Sequence, residues 1–308
     1  MSAPHPARQA EWVKRPERGS MALLRAMTWL SLTLGRPLAR VVLAATSLYF
    51  LLFAAAARHA SRAYLQRALG RPPRLAELFR HFHSFASCIH DRVYLLNDRF
   101  DLFAIEVYGE AAINEVLAAG RGAFLMGAHL GSFELVRAVG RRQPGLRVAM
   151  VMYQENAHKI NAALAAINPT AVQDIIPLGR LDSMLQVQAR LDEGMVLGVL
   201  GDRTLGQEPT LALPFLGQTA PFPLGPMRLA AILKRPVLFM SGLYLGGNRY
   251  AIHFERLADF TDIEREERDA AIRQAVAAYA DCLERHCRAA PFNWFNFFDF
   301  WRPPADAA

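Results

Sequence analysis

The sequence predicts an α/β protein in which a mostly parallel, twisted sheet is covered by helices and follows an N-terminal membrane-associated helical arm. From Leu102 onward, short apolar runs alternate with segments of helical periodicity, which is the pattern of a parallel sheet with crossover helices. Before that region, apolar residues are concentrated in residues 38–57, a stretch of about 20 residues with Arg40 near its start. This length is sufficient to cross a bilayer.

Composition and charge narrow the classes of function. The 308 residues are 53% hydrophobic and 20% charged, which suits a sizeable buried core and excludes general disorder. The net charge of +7 suits an anionic membrane surface, a phosphorylated lipid or an acidic carrier protein. Nucleic acid is disfavoured as a partner because the basic residues do not cluster with a recognisable binding motif. Three cysteines cannot all pair, which indicates a reducing compartment.

We divide the chain into a basic cytosolic leader (residues 1–20), a membrane-associated or transmembrane helical arm (21–58) and one α/β domain (59–308). The arm begins with a predicted helix at 21–34, which Gly35 and Pro37 break. A helical hairpin lying in the membrane interface is the alternative to a transmembrane span, because arginines interrupt the region. We reject a signal peptide, since its apolar core would be shorter and nearer the N-terminus.

The elements that follow the arm are predicted from their periodicity and their stop signals. Residues 58–74 form a basic helical segment that stops at Gly70, and residues 75–96 form a long helix with one apolar face. His81 and His83 project to different sides of that helix, so we expect surface or groove roles and no shared metal. Further helices are predicted at 111–119, 132–139, 158–167, 183–192, 224–233 and 264–288, and strands at 102–107, 123–126, 146–152, 174–177, 195–200, 237–244 and 250–254.

Polar residues stand where two of these strands end. His129 follows the strand at 123–126, and a helix begins near Gly131, so unpaired backbone N–H groups converge on the imidazole. Glu134 lies close enough to accept a hydrogen bond from one ring nitrogen and to leave the other as a general base. Asp202 and Arg203 follow the strand at 195–200, and the same geometry puts them on the edge that carries His129. The competing interpretation is structural, because a lone His is more often structural and helix dipoles favour Glu in a first turn.

Four blocks in order resemble a known family. His129-Leu-Gly-Ser-Phe-Glu134 is similar to the His-x4-Asp/Glu motif of glycerolipid acyltransferases, in the form used by the bacterial late acyltransferases of lipid A biosynthesis. Gly201-Asp202-Arg203 resembles that family's second block, and Leu213-Pro-Phe-Leu-Gly-Gln-Thr-Ala220 resembles its Pro-Phe-Phe-Gly segment. Pro291-Phe-Asn-Trp-Phe295 resembles its closing element. The likeness spans about residues 36–302 and implies a glycerolipid acyltransferase-like fold.

The resemblance implies transfer of a fatty acyl group from a thioester, on acyl carrier protein or coenzyme A, to a hydroxyl of a membrane lipid or glycolipid. His129 would be the base and Glu134 would stabilise the imidazolium, with no covalent acyl-enzyme, no metal and no cofactor. Backbone N–H groups of Gly131 and Ser132 are the nearest candidates for the oxyanion hole. The implied location is the bacterial inner membrane, with the active site facing the cytoplasm. Substrate-binding residues are expected at Arg180, Asp202, Arg203, Phe215 and Gly217.

Two departures from the family pattern bear on the acceptor. Ser132-Phe133 replaces the Asn-Trp common in the lipid A branch, and the ending after Trp294 lacks that branch's basic residues. A lipid A-like acceptor, another glycolipid, an aminoacyl lipid and the acceptor of a specialised acyl product therefore stay open. Two other classes of function also stay open: a non-catalytic membrane-surface binding protein on the same fold, and a hydrolase that releases free fatty acid.

Overall fold

The computed structural model describes residues 21–135, 140, 146–153, 162, 164–168, 174–178, 182–204 and 208–301. Four helices come first and are labelled as follows: α1 (Met21–Leu34), α2 (Arg36–Phe53), α3 (Ala55–Leu69) and α4 (Leu75–Leu96). Gly35 separates α1 from α2 with a φ of 80°, and Pro37 occupies the first turn of α2. Gly70 ends α3 in the left-handed conformation, as helix-terminating glycines do.

Strands and helices then alternate. The strands are β1 (Ala104–Tyr108), β2 (Ala123–Gly127), β3 (Val148–Tyr153), β4 (Ile175–Leu178), β5 (Val196–Leu200), β6 (Thr210–Phe215), β7 (Gln218–Pro223), β8 (Pro236–Gly246) and β9 (Arg249–Asp259). The described helices between and after them are α5 (Glu110–Ala119), α6 (Ser183–Asp192), α7 (Gly225–Ile232) and α8 (Arg268–Ala289). Half of each predicted helix at 132–139 and 158–167 lies outside the described residues.

Seven strands form one sheet in the order β1-β9-β8-β2-β5-β3-β4. Every pairing in it is parallel except the β8–β9 hairpin, which confirms the predicted mostly parallel α/β fold. The sequence did not predict the separate antiparallel hairpin of β6 and β7. In the sheet, β2 lies between β5 and β8, so the segments that follow β2 and β5 emerge side by side.

The core covers both faces of the sheet. Alternate residues of β2 enter different apolar clusters: Phe124 and Met126 pack with residues of α3, α7 and α8, whereas Ala123 and Leu125 pack with residues of α4 and α5. Such alternation is the consequence of side chains pointing to opposite faces along a strand. As a result, β2 is a fully buried central strand, and the segment that carries His129 begins at its carboxyl end.

The arm packs on α4 through one side of α2. Leu43, Ser47 and Leu51 are the buried residues of α2, and Arg36 forms an ion pair of 2.8 Å with the buried carboxylate of Asp91 on α4. Among the described residues, α2 is the one helix long and apolar enough to cross a membrane, judged by length and composition. Its other side exposes large apolar residues, namely Leu38, Val41, Val42, Leu48, Tyr49, Phe50, Leu52 and Phe53. The apolar helix ends at Phe53 rather than at Ala57, because Ala54 leaves helical geometry.

Candidate active site

His129 lies just beyond the carboxyl end of β2, and its acidic partner is Asp202, which follows β5. The Nδ1 atom of His129 is 2.8 Å from Oδ1 of Asp202, and the backbone N–H of His129 donates to Oδ2 of the same carboxylate at 2.9 Å. The two segments meet because Gly127 pairs with Leu200 at the ends of these parallel strands. A hydrogen bond from Gly201 N to Gly127 O, of 3.0 Å, continues the contact beyond the strands.

Glu134 does not make the hydrogen bond to His129 that we expected. Its carboxylate instead pairs with Arg92 of α4, with Nε and Oε1 2.9 Å apart. Asp202 lies beside the imidazole because it follows β5, the strand that pairs with β2. Glu134 lies at the start of the following helical segment, where its carboxylate contacts Arg92 of α4. Participation of Glu134 in a reaction stays a prediction.

Four hydrogen bonds converge on the fully buried carboxylate of Asp202. Its Oδ2 accepts from His129 N, from Trp294 Nε1 and from Asn296 Nδ2, each at 2.9 Å, and its Oδ1 faces the imidazole. Burial alone would raise the pKa of Asp202, but the hydrogen bonds from the ring and backbone of His129, together with the charge of Arg203, hold that pKa well below its ordinary value. Asp202 is therefore a fixed anion at neutral pH.

The same surroundings make His129 a neutral base with a defined tautomer. Burial and the positive charge of Arg203 lower the pKa of His129 below its ordinary value, although Asp202 acts in the opposite direction. Because an ionised carboxylate only accepts hydrogen bonds, Nδ1 carries the proton and Nε2 carries the lone pair. The side chain is 28% exposed, and the hydrogen bonds of the described residues leave Nε2 free. The arrangement can accept a proton from a bound hydroxyl.

The expected oxyanion donors are already engaged. Gly131 N donates to Asn293 O at 2.8 Å, and Ser132 N donates to Gly242 O at 2.8 Å. Each N–H has a single hydrogen, so neither group is available to an oxyanion in this arrangement, and the expectation is corrected. Gly131 has a φ of 71°, and a Cβ there would lie 2.0 Å from Gly242 O, so the loop requires glycine to lie this close to β8.

Arg203 borders the imidazole as a cation. Its Nε donates to Oδ1 of Asn296 at 2.9 Å, and its guanidinium lies 5.5 Å from the ring centroid of Phe298. Burial lowers the pKa of Arg203 to about 10, which still leaves it charged at neutral pH. Arg180, the other arginine expected to bind substrate, lies outside the described residues.

Phe215 and Gly217 support the site indirectly. Phe215 is completely buried beneath Trp294, with ring centroids 5.3 Å apart, so it contributes packing rather than the substrate contact that we expected. Gly217 lies in the turn between β6 and β7 with a φ of 82°, a conformation that favours glycine.

The residues that sequence reasoning missed come from the closing segment, residues 293–297. Phe295 N donates to His129 O at 2.7 Å, and Leu130 and Trp294 form an isolated β-bridge, so this segment runs beside the His129 loop. Trp294 and Asn296 then reach Asp202 with their side chains. The family-like block Pro291-Phe-Asn-Trp-Phe295 was the available signal, but the block alone did not indicate which of its side chains would contact Asp202.

One group among the described residues offers ligands close enough together for a metal ion. Ligand atoms of Glu255, Cys282 and His286 all lie within 4.8 Å of one another. The Glu255 carboxylate accepts a hydrogen bond from His286 Nε2 (2.6 Å) and forms an ion pair with Arg285 (2.7 Å), so its negative charge is already balanced by a side-chain cation.

His81, expected at the surface or in a groove, is instead completely buried.

Comparison with known proteins identifies the family of the chain. Residues 9–303 match the family described as bacterial lipid A biosynthesis acyltransferase. A search of curated proteins gave no significant match. The family match covers nearly the whole chain, including both strand ends and the closing segment, and it implies acyl transfer. The chain belongs to the bacterial lipid A biosynthesis acyltransferase family.

Proposed function

We propose that the protein transfers a fatty acyl group from a thioester to a hydroxyl of a membrane lipid or glycolipid, with His129 as the general base. The observation that carries this proposal is the 2.8 Å contact between His129 Nδ1 and Asp202 Oδ1, which leaves Nε2 without a hydrogen bond from the described residues on a side chain that is 28% exposed. A neutral imidazole fixed by a carboxylate is suited to removing a hydroxyl proton.

In the proposed reaction, the acceptor hydroxyl gives its proton to Nε2 of His129 as its oxygen attacks the thioester carbonyl carbon. The resulting tetrahedral intermediate collapses, the carbon–sulfur bond breaks, and the proton on Nε2 passes to the departing thiolate. Asp202 stabilises the imidazolium during the interval between these transfers. The step needs no covalent acyl-enzyme, since the acceptor oxygen attacks directly.

The net charge of the protein, the cation of Arg203 and the exposed apolar side of α2 support the proposed donor, acceptor and membrane. The donor is the thioester of acyl carrier protein or of coenzyme A, and the net charge of +7 complements an acidic carrier. Arg203 holds an anionic group of the acceptor, since its guanidinium stays charged beside His129. A lipid A-like molecule is one such acceptor. The exposed apolar side of α2 binds the bacterial inner membrane, with the active site on the cytoplasmic side.

The test uses purified protein in detergent, acyl carrier protein thioesters or acyl coenzyme A, and a total membrane lipid extract. Mass spectrometry is expected to detect a new acylated lipid that is lost with His129→Ala, a decrease of about 10²–10⁴-fold for removal of a general base. Ser132→Ala is the neighbouring control: its buried hydroxyl has no hydrogen-bond partner among the described residues, so activity should persist.

Three results would contradict parts of the proposal. Release of free fatty acid without a lipid product would indicate a hydrolase. Binding of lipid with no turnover of any thioester would indicate a non-catalytic membrane-surface protein. Loss of transfer in Ser132→Ala as severe as in His129→Ala would indicate a serine nucleophile instead of direct attack.

A further inference from the structure

A buried imidazole that the proposed reaction does not use forms a hydrogen bond with the backbone of the closing segment. His81 Nε2 lies 2.9 Å from the backbone oxygen of Trp294, and His81 Nδ1 lies 2.8 Å from Oγ of Ser61 on α3. A carbonyl oxygen only accepts, so Nε2 carries the ring proton and Nδ1 accepts from the Ser61 hydroxyl. Burial lowers the pKa of His81 to about 4, which keeps the ring neutral and this pattern of donors intact at neutral pH.

Trp294 connects this imidazole to the proposed active site. Its carbonyl is the acceptor for His81, and its indole N–H donates to Asp202 Oδ2 at 2.9 Å. The indole is fully buried, and Tyr64 and Phe300 pack against it with ring centroids 5.0 Å and 4.8 Å away. The carbonyl and the indole N–H of this residue therefore each have a defined partner.

We propose that His81 and Trp294 are positioning residues that set how strongly Asp202 binds the proton on His129. Ser61 fixes the ring of His81, His81 fixes the peptide of Trp294, and Trp294 places its N–H on the carboxylate. Each donor on Oδ2 of Asp202 draws negative charge from the carboxylate, whose Oδ1 faces the imidazole. Removal of the indole N–H leaves more negative charge for His129 and makes the imidazole more basic. This inference rests on the proposed role of His129 as the base.

Trp294→Phe is the first test because it removes the N–H and keeps an aromatic ring. The titration of His129 is followed by NMR in detergent, with His129→Ala used to assign its signal. We expect the midpoint to move upward by about half a pH unit or more, and the acid limb of the rate profile to move with it. At a pH on that limb the rate should fall about threefold, since half a unit corresponds to that factor.

His81 is tested by a matched set of variants. His81→Leu removes the donor to the Trp294 carbonyl and should also shift the His129 midpoint upward, whereas His81→Gln retains an N–H donor and should recover part of the shift. His83→Leu, two residues away on α4, should leave the midpoint unchanged. If His81→Leu does not fold, Ser61→Ala replaces it, because it keeps the imidazole and removes only the hydroxyl that orients it.

An unchanged or lowered His129 midpoint in Trp294→Phe would overturn the inference. An equal shift in His83→Leu would overturn it as well, because any change in α4 would then have the same effect. The NMR titration reports on the imidazole without turnover. Absence of acyl transfer by the unmodified protein would therefore count against the proposed function alone, and an unmoved midpoint would count against the positioning role alone.

Discussion

The two oxygens of the buried Asp202 carboxylate have different hydrogen-bond partners. One oxygen accepts a hydrogen bond from the Nδ1–H group of His129, and the other accepts from three N–H donors, one of which is the backbone of His129 itself. The double attachment fixes both the position and the tautomer of the imidazole. Glu134 has a different surrounding, since its described charge partner is Arg92.

Exchange of each carboxylate for its amide separates the two acids. Asp202→Asn should reduce acyl transfer by about 10⁴-fold, as an acid-to-amide change does in the Ser-His-Asp template, because the imidazolium loses its counter-charge. Glu134→Gln should be impaired less severely, since Arg92 rather than His129 loses a partner. Rates are measured with acyl carrier protein thioesters, and circular dichroism checks folding. Equal losses, or a more active Asp202→Asn, would contradict the assignment of Asp202 as the partner.

At the scale of elements, α2 has two unlike sides. The buried side is fastened to α4, and the Arg36 guanidinium is also hydrogen-bonded to the carbonyl of Gly247 in the β8–β9 turn. The exposed side presents a contiguous set of large apolar side chains. A helix held along the domain in this way is suited to lying in the membrane interface, which was the alternative to a transmembrane span.

Membrane attachment through this side should survive high salt, because apolar burial is not screened as surface charge is. Val41→Ser combined with Phe53→Ser should weaken attachment while the protein stays folded, since these side chains are 67% and 69% exposed. Leu185→Ser is the control, because Leu185 is equally exposed, at 70%, but lies on α6. Vesicle flotation in high salt measures the effect. Full release of the unmodified protein by salt alone would contradict apolar attachment.

At the scale of the whole molecule, His81 joins α3, α4 and the closing segment, so its protonation bears on global stability. Its pKa is about 4 in the folded protein, against about 6.5 for a free histidine. The unfolded chain therefore binds a proton that the folded protein does not. Stability should fall as the pH is lowered from about 6.5 to about 4, by up to about 3 kcal/mol.

Denaturant unfolding in detergent at a series of pH values measures this loss. His81→Gln should be less stable at pH 7 but should show a smaller decrease between pH 6.5 and 4, because the titrating ring is absent. His83→Gln keeps His81 and provides the matched comparison. Identical pH dependence in the unmodified protein and in His81→Gln would show that another group causes the acid sensitivity.

Periodicity predicted the local elements well because each depends on nearby residues. The helix at 75–96 and the alternating strands are examples, and the order of strand ends indicated that Asp202 would share an edge with His129. The choice between Asp202 and Glu134 depended on strand neighbours 73 residues apart in the chain, which periodicity does not encode. The engaged N–H groups of Gly131 and Ser132 depended on β8 and on Asn293, which are also distant in sequence. The β6–β7 hairpin was missed because its prolines and its turn at Gly217 resembled a family motif more than a strand pair.

The position of the closing segment also fixes the order in which a newly made chain acquires its properties. The apolar arm leaves the ribosome first, and His129 and Asp202 follow, but two of the four hydrogen bonds on Asp202 come from Trp294 and Asn296. A chain released before residue 294 carries the exposed apolar side of α2 without the donors that complete the carboxylate. Under the proposed function, a nascent chain is therefore able to bind the membrane before it is able to transfer an acyl group, and incomplete chains should occupy the membrane without modifying its lipids.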